Sequence, residues 1–429
     1  MLTWAKYPRY GNARSETNHL CNVLFLLMTR NTAALAAVSA ICLSLIAAPA
    51  SPASTAPAEF EITPPDRVLG SITRASSGTV SEPIEAPADF TMLGFHWNDG
   101  SDPAIAVRIS EDGEVWSTWT PVPTQPDGGP EPGSGERRRA AQSNSVSSPV
   151  WAGESRFLQY RTAQSAPGMR IQLINTEALA KPAASSGFID EPGDPIEDPD
   201  VDRPRADEQA AGEEEAPPRR PRNEDEEPVK VKGKIAKQVI ARKKWDRGND
   251  CKPRRKSREG DFEGAIVHHT VNANDYSRNE SADMVLGICR FHRNGNGWDD
   301  IGYNFVVDKY GQIFEGRAGG LSRSNIGAHA VGFNEQTAGV ANLGTFEKDE
   351  QSKDALKTEA ALIEELGRIH DFKPDDKVKL VSGGGSGNRY PKGKKVKLNT
   401  ISGHKDAGQT DCPGSKLYGQ LKKLRKLAR

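Results

Sequence analysis

The C-terminal part of this chain reads as an α/β domain, a mixed central sheet flanked by helices, preceded by a smaller antiparallel β-sandwich-like domain. Three observations predict this. From about residue 235 onward, apolar runs of strand length alternate with segments whose apolar residues recur every three or four positions. Between residues 86 and 177 the apolar runs are short, alternate in period two and are separated by turn residues. Between these two regions lies an acidic, proline-rich stretch with few apolar residues. A length of 429 residues fits two or three units better than one.

Residues 1–50 read as an export signal. Met28-Thr29-Arg30 precedes an apolar run over 33–48, and Ala48-Pro49-Ala50 offers small residues for cleavage. Met28 is read as the true start, and residues 1–27 receive no role. The run of about 16 residues is shorter than the roughly 20 that a membrane span needs, so no span is expected once the signal is removed. An uncleaved anchor is the competing reading. Residues 51–85, rich in Ala, Pro, Ser and Thr, read as a linker.

In the 86–177 region Val107 and Ile109 alternate with Arg108 and Ser110, and Glu111-Asp112-Gly113 marks a turn. Residues 124–135 read as a long loop. Trp97, Trp116, Trp119 and Trp151 fit either a carbohydrate-binding face or ordinary packing. Residues 178–234 offer little apolar surface to offset the entropy of ordering, so a disordered, extended spacer is expected.

The last domain is assigned to residues 235–429. Its expected strands cover 264–269, 303–307, 313–315 and 338–343, with a hairpin around Tyr310-Gly311. One helix is expected over 281–292, with Met284, Val285, Ile288 and Phe291 on one face. A second follows a Ser352 cap and shares Leu356, Ile363, Leu366 and Ile369. A third follows Pro413-Gly414. The formal net charge is −1. Basic stretches at 230–258 and 422–426 beside the acidic spacer suggest an anionic partner. No nucleic-acid partner is expected, and the chain reads as a monomer.

His268 ends an apolar strand, and His404 and Cys412 lie eight apart in a distant loop. Each alone is as consistent with a packed histidine or an inert buried thiol. Together they make a three-ligand metal set that leaves a fourth position for water, as catalytic zinc sites do. Three of the five cysteines, Cys251, Cys289 and Cys412, follow the signal region. An odd number in an exported chain is explained if one of them binds metal.

Several blocks then agree on one family. AIVHHT (265–270), GWDDIGYNF (297–305), GQIFEGR (311–317), GAH (327–329), GHKD (403–406) and TDCPG (410–414) resemble the signature blocks of peptidoglycan-recognition proteins and N-acetylmuramoyl-L-alanine amidases of type 2. VSGGG (381–385) with NRYP (388–391) is similar to an insertion of actinobacterial members. The resemblance runs from about Gln238 to the end, and it implies the fold of that family. It implies zinc held by His268, His404 and Cys412, Tyr303 beside the metal, and Thr410 at a position that other amidases fill with lysine. His329 becomes a candidate for substrate contact or proton handling. No acid stands on the strand near Gly339 where more distant amidases carry a glutamate, so no general base is assigned.

With Cys412 a ligand, Cys251 and Cys289 are expected to pair, the alternative being two separate thiols. The pair would close a loop of roughly 38 residues, about 3–4 kcal/mol by loop entropy. The activity implied is zinc-dependent hydrolysis of the amide between N-acetylmuramic acid and L-alanine in cell-wall peptidoglycan, by a secreted, wall-associated enzyme. The alternative is a module that binds peptidoglycan or muropeptides without cutting them. Binding-only members of the family usually lack the zinc cysteine, and here Cys412 is present.

Overall fold

The computed structural model describes residues 58–64, 79–98, 100–124, 128–140, 145–164, 166–177 and 234–429. The segment read as an export signal, with Cys21 and Cys42, most of residues 51–85 and nearly all of the acidic spacer lie outside the described residues. The described part of 51–85, expected as a linker, instead carries strands of the N-terminal sheet at Glu59–Ile62, Thr79–Val80 and from Ile84.

The N-terminal region forms β1 (Glu59–Ile62), β2 (Thr79–Val80), β3 (Ile84–Trp97), β4 (Ala106–Ser110), β5 (Thr120–Pro121), β6 (Ser145–Val146), β7 (Val150–Thr162) and β8 (Arg170–Ile174). These strands make one antiparallel sheet in the order β1-β8-β3-β7-β4-β5, with β2 on β7 and β6 on β3. The expected two-sheet sandwich is corrected accordingly. The cause is the length of β3 and β7, 14 and 13 residues, which lets each pair with several partners in turn. The β3–β7 register shifts between Glu85 and Phe90 and again before Met92, and such irregularities let a single sheet bend. Phe90, Leu93, Phe95, Trp97 and Leu158 build its core.

Trp97 and Trp151 are 1% and 7% exposed. Trp119 is covered by the guanidinium groups of Arg108 and Arg161 at 5.0 and 4.8 Å, and Trp116 by Arg108 at 5.0 Å. The four tryptophans therefore share no exposed face.

The second region begins with α2 (Lys234–Gln238), β9 (Val239–Ile240) and α3 (Arg242–Trp245). Its sheet also contains β10 (Gly264–His269), β11 (Phe305–Val307), β12 (Ile313–Glu315), β13 (Thr337–Asn342) and β16 (Ile401–Gly403). The order is β16-β10-β13-β11-β12-β9. β10 runs parallel to both neighbours and every residue in it is buried, which is why it reads as an unbroken apolar run. Against one face pack α5 (Lys353–His370) and α7 (Ser415–Leu427), through Leu356, Ile363, Leu366, Leu417 and Leu421. Ser352 caps α5, its Oγ accepting from the Ala355 N–H at 3.0 Å, a contact worth about 1 kcal/mol. Against the other face lies α4 (Glu280–Arg290), which continues as a π turn over Phe291–Gly295.

β14 (Lys377–Val381) and β15 (Lys395–Asn399) pair as a separate hairpin that the sequence reading did not predict. Its signal was present: lysines at 377, 379, 395 and 397 alternate with Val378, Leu380, Val396 and Leu398.

The two regions are joined. Met92, Trp151 and Ile174 of the first sheet enter one apolar cluster with Met284, Val285 and Ile288 of α4. Trp151 N donates to Asn272 Oδ1 at 2.8 Å, and Arg290 Nη1 donates to the Asn175 carbonyl at 2.7 Å. Gly94 lies so close to the Phe291 ring that a Cβ would overlap it. A disulfide between Cys251 and Cys289, with Cα atoms 6.1 Å apart, ties α4 to the chain before β10.

Candidate metal centre and active site

Strand order creates the centre. β16 pairs with β10 so that Gly403 faces Val267, which sets His404, at the start of the short helix α6 (His404–Ala407), beside His268. The loop after α6 returns Cys412 to the same place. Lys405 N donates to the Cys412 carbonyl at 2.8 Å, and Cys412 N donates to Thr410 Oγ1 at 3.0 Å. One nitrogen from each histidine and the Cys412 sulfur lie within 4.8 Å of one another. Cys412 Sγ is 3.7 Å from His268 Nδ1, and the two imidazole centres are 4.5 Å apart. All three residues are buried.

These residues fit a zinc ion. His404 Nδ1 is buried with no hydrogen-bond partner, a cost of about 1–3 kcal/mol that coordination removes. Burial, then the neighbouring histidines, push His268 well below its ordinary range and His404 down to about 3. Both imidazoles are therefore neutral at physiological pH, the form that binds metal. A backbone donor, His269 N, lies 3.4 Å from the Cys412 sulfur. The other cluster of potential ligands among the described residues, Cys251, Cys289 and Asp300, is spent, since its sulfurs are bonded to each other.

His329 lies behind the ligands. Its Nε2 is 3.1 Å from the Thr337 carbonyl and its Nδ1 is 3.0 Å from His268 Nε2. A carbonyl only accepts, so His329 Nε2 carries the proton and His329 Nδ1 accepts from His268 Nε2–H. That chain of bonds leaves the lone pair of His268 Nδ1 facing Cys412, which is how outer hydrogen bonds orient a metal-binding imidazole. His329 is 1% exposed and burial pushes it down to about 3. Its bonds position His268, and with Tyr303 it also lines the cavity beside the ligand set.

Tyr303 is half-buried, its ring 5.4 Å from that of His268. The expected strand over 303–307 begins only at Phe305, and the segment before it that carries Tyr303 is pinned by Asn304 N to the Gly339 carbonyl at 3.0 Å and by Arg317 N to the Tyr303 carbonyl at 2.8 Å. Thr410 closes the turn that presents Cys412. Sequence reasoning missed His292 and Trp298, whose ring centres lie 4.6 Å apart with the planes tilted by 36°, with Tyr303 5.7 Å from His292. Gly302 N donates to His292 Nδ1 at 3.2 Å. The GWDDIGYNF block held the signal for Trp298, whereas His292 shows only as the end of a helix.

Beneath the centre, Asn342 Nδ2 lies 3.1 Å from Glu359 Oε1 and 3.4 Å from the His268 carbonyl. Glu359 is fully buried and burial pushes its carboxyl up to about 8 from an ordinary 4.5. The folded chain thus keeps a proton that the unfolded chain loses above about pH 4.5, so stability falls as pH rises from there toward 8. Glu359→Gln should abolish that fall. Urea or thermal melts should show the variant gaining on the parent between pH 5 and pH 8, by on the order of 3 kcal/mol at the upper end. A gap that does not change with pH would contradict a buried neutral carboxyl.

The N-acetylmuramoyl-L-alanine amidase family profile matches residues 258–415. Peptidoglycan-recognition protein SC1a of Drosophila melanogaster is 25% identical over 158 residues, 37% of this chain and 71% of that protein. N-acetylmuramoyl-L-alanine amidase of Homo sapiens is 32% identical over 160 residues, 36% of this chain and 23% of that protein. Among solved structures, bumblebee PGRP-SA is 28% identical with a TM-score of 0.32, covering 43% of this chain and 93% of that one.

Proposed function

Because residues 258–415 of this chain belong to the peptidoglycan-recognition protein and N-acetylmuramoyl-L-alanine amidase family, we propose that it is a zinc-dependent amidase. It cleaves the amide between N-acetylmuramic acid and L-alanine in peptidoglycan. The observation that carries this reading is the buried set of His268, His404 and Cys412 with the unpartnered His404 Nδ1.

When bound there, zinc would polarise the scissile carbonyl as a Lewis acid and would lower the pKa of a bound water to near 7. Three protein ligands leave the coordination open to substrate. His329 holds the His268 tautomer through its bonds to Thr337 and His268. Thr410 holds the turn of Cys412. The Tyr303 hydroxyl is the donor assigned to the carbonyl oxygen as it gains charge, a role in which a preorganised donor acts most strongly. Residues 1–50, read as an export signal, support a mature chain that acts outside the cell, and our reading is of a monomer working in the wall of an actinobacterial-type host.

Some relatives are named as recognition proteins, which supports binding without cleavage as a second reading. Digestion of purified wall sacculi by the zinc-loaded mature chain, with mass analysis of the products, separates the two. Cleavage should release free stem peptides with an L-alanine N-terminus and leave glycan strands with free lactyl carboxyls. Bound but intact sacculi would establish the binding module instead.

A further inference from the structure

We propose that residues 128–140 of the N-terminal region form an autoinhibitory strap, lying across the groove beside the metal-ligand set and needing to move before a muropeptide can bind. This rests on the amidase reading, which defines what the groove receives.

Both regions wall the cavity next to the ligands. Tyr303, Trp298 and His329 line it from one region, and Gly128, Ser148 and Pro149 from the other. The free space between them is about 20 Å³, enough for a water molecule. Pockets for small ligands run to roughly 300–1,000 Å³. A sugar carrying a peptide does not fit the groove in this arrangement.

The strap is fixed to both rims. On one, Glu136 forms a two-pronged pair with Arg317 at 2.9 and 3.0 Å and accepts from Asp299 N at 3.0 Å. Arg139 pairs with Asp299 at 2.5 Å. On the other rim, Glu131 accepts from Gly332 N at 2.7 Å and from Asn334 Nδ2 at 3.1 Å. Between the rims Gly128 runs against the Ala328 and His329 carbonyls, leaving no room for a Cβ. The strap has its own short helix, α1 (Gly135–Ala140).

Its apolar hold is small, a cluster of Ala140, Trp298 and Ala328. The sheet behind it is attached differently, through Met92, Trp151 and Ile174 buried against α4. Charged and polar anchors at the strap and an apolar anchor at the sheet let the strap lift while the sheet stays docked. A closed state that excludes ligand weakens apparent affinity by the fraction of molecules that are open.

The test uses the full chain and a soluble synthetic muramoyl-alanyl peptide. Arg139→Glu sets two like charges together at one rim, and Glu131→Ala/Glu136→Ala removes the carboxylate anchors. Both should bind the peptide about 10–100-fold more tightly than the parent, with kcat/KM rising in parallel. Equal affinity in the parent and in a folded variant would overturn the strap. If neither binds, the amidase reading itself fails, a different result. Should the variants not fold, hydrogen exchange on the parent decides. Peptide binding should speed exchange at the Gly332 and Asp299 amides, which the strap carboxylates cover, and unchanged or slower exchange in the bound state would overturn the proposal.

Discussion

Cys412→Ala is expected to lose most of the zinc and to lower hydrolysis of wall substrate by about a thousandfold or more, since a barrier reduction of several kcal/mol leaves with the metal. The parent should hold about one zinc per chain, and chelation should abolish its activity. The sulfur is buried, 3.7 Å from His268 Nδ1 and approached by the His269 N–H. Truncation therefore also leaves a small cavity, with a stability loss of about 1–2 kcal/mol in the apo chain. The two effects separate in measurement. Metal analysis and turnover report the ligand role, and circular dichroism of the apo chain reports the fold. Full zinc with full turnover in this variant would remove Cys412 from the ligand set.

Tyr303→Phe should keep the fold and the zinc and slow hydrolysis about 10–1000-fold, reaching at its upper end the loss of roughly 100–1000-fold that follows deletion of one oxyanion donor. Its ring is held from two sides, by His268 at 5.4 Å and His292 at 5.7 Å, so the phenylalanine ring occupies the same place and only the hydroxyl is lost. A transition-state role predicts a fall in kcat with KM little changed. Unchanged turnover would reduce Tyr303 to a packing residue.

Much of the site was legible because its residues sit in short blocks with unusual chemistry. A histidine ending an apolar run, GHKD and a Cys-Pro eight residues later need little context, and the structure gathers all three. The helix faces were equally legible, since Met284, Val285 and Ile288 on α4, Phe291 in the π turn that continues it, and Leu356, Ile363 and Leu366 on α5 repeat with helical period and are all buried. The disulfide between Cys251 and Cys289 followed from the ligand set. The long loop expected over 124–135 illustrates the opposite case. Its glycines and prolines show that it is not a strand, but nothing local says that Glu131 meets Gly332 and Glu136 meets Arg317, about 200 and 180 positions away.

The sequence by itself determined the candidate ligand types, the strand and helix periods and the family, because these depend on side-chain chemistry and short-range spacing. Tertiary structure alone decided three things. It turned the expected sandwich into one bent sheet, because pairing depends on how far β3 and β7 extend beside their partners. It placed His329 behind His268, a contact across 61 positions that no local pattern encodes. And it laid a segment of the first region across the groove of the second, because carboxylates and a guanidinium that look like ordinary surface charges in the sequence become a buried pair once two apolar faces dock and exclude water between them.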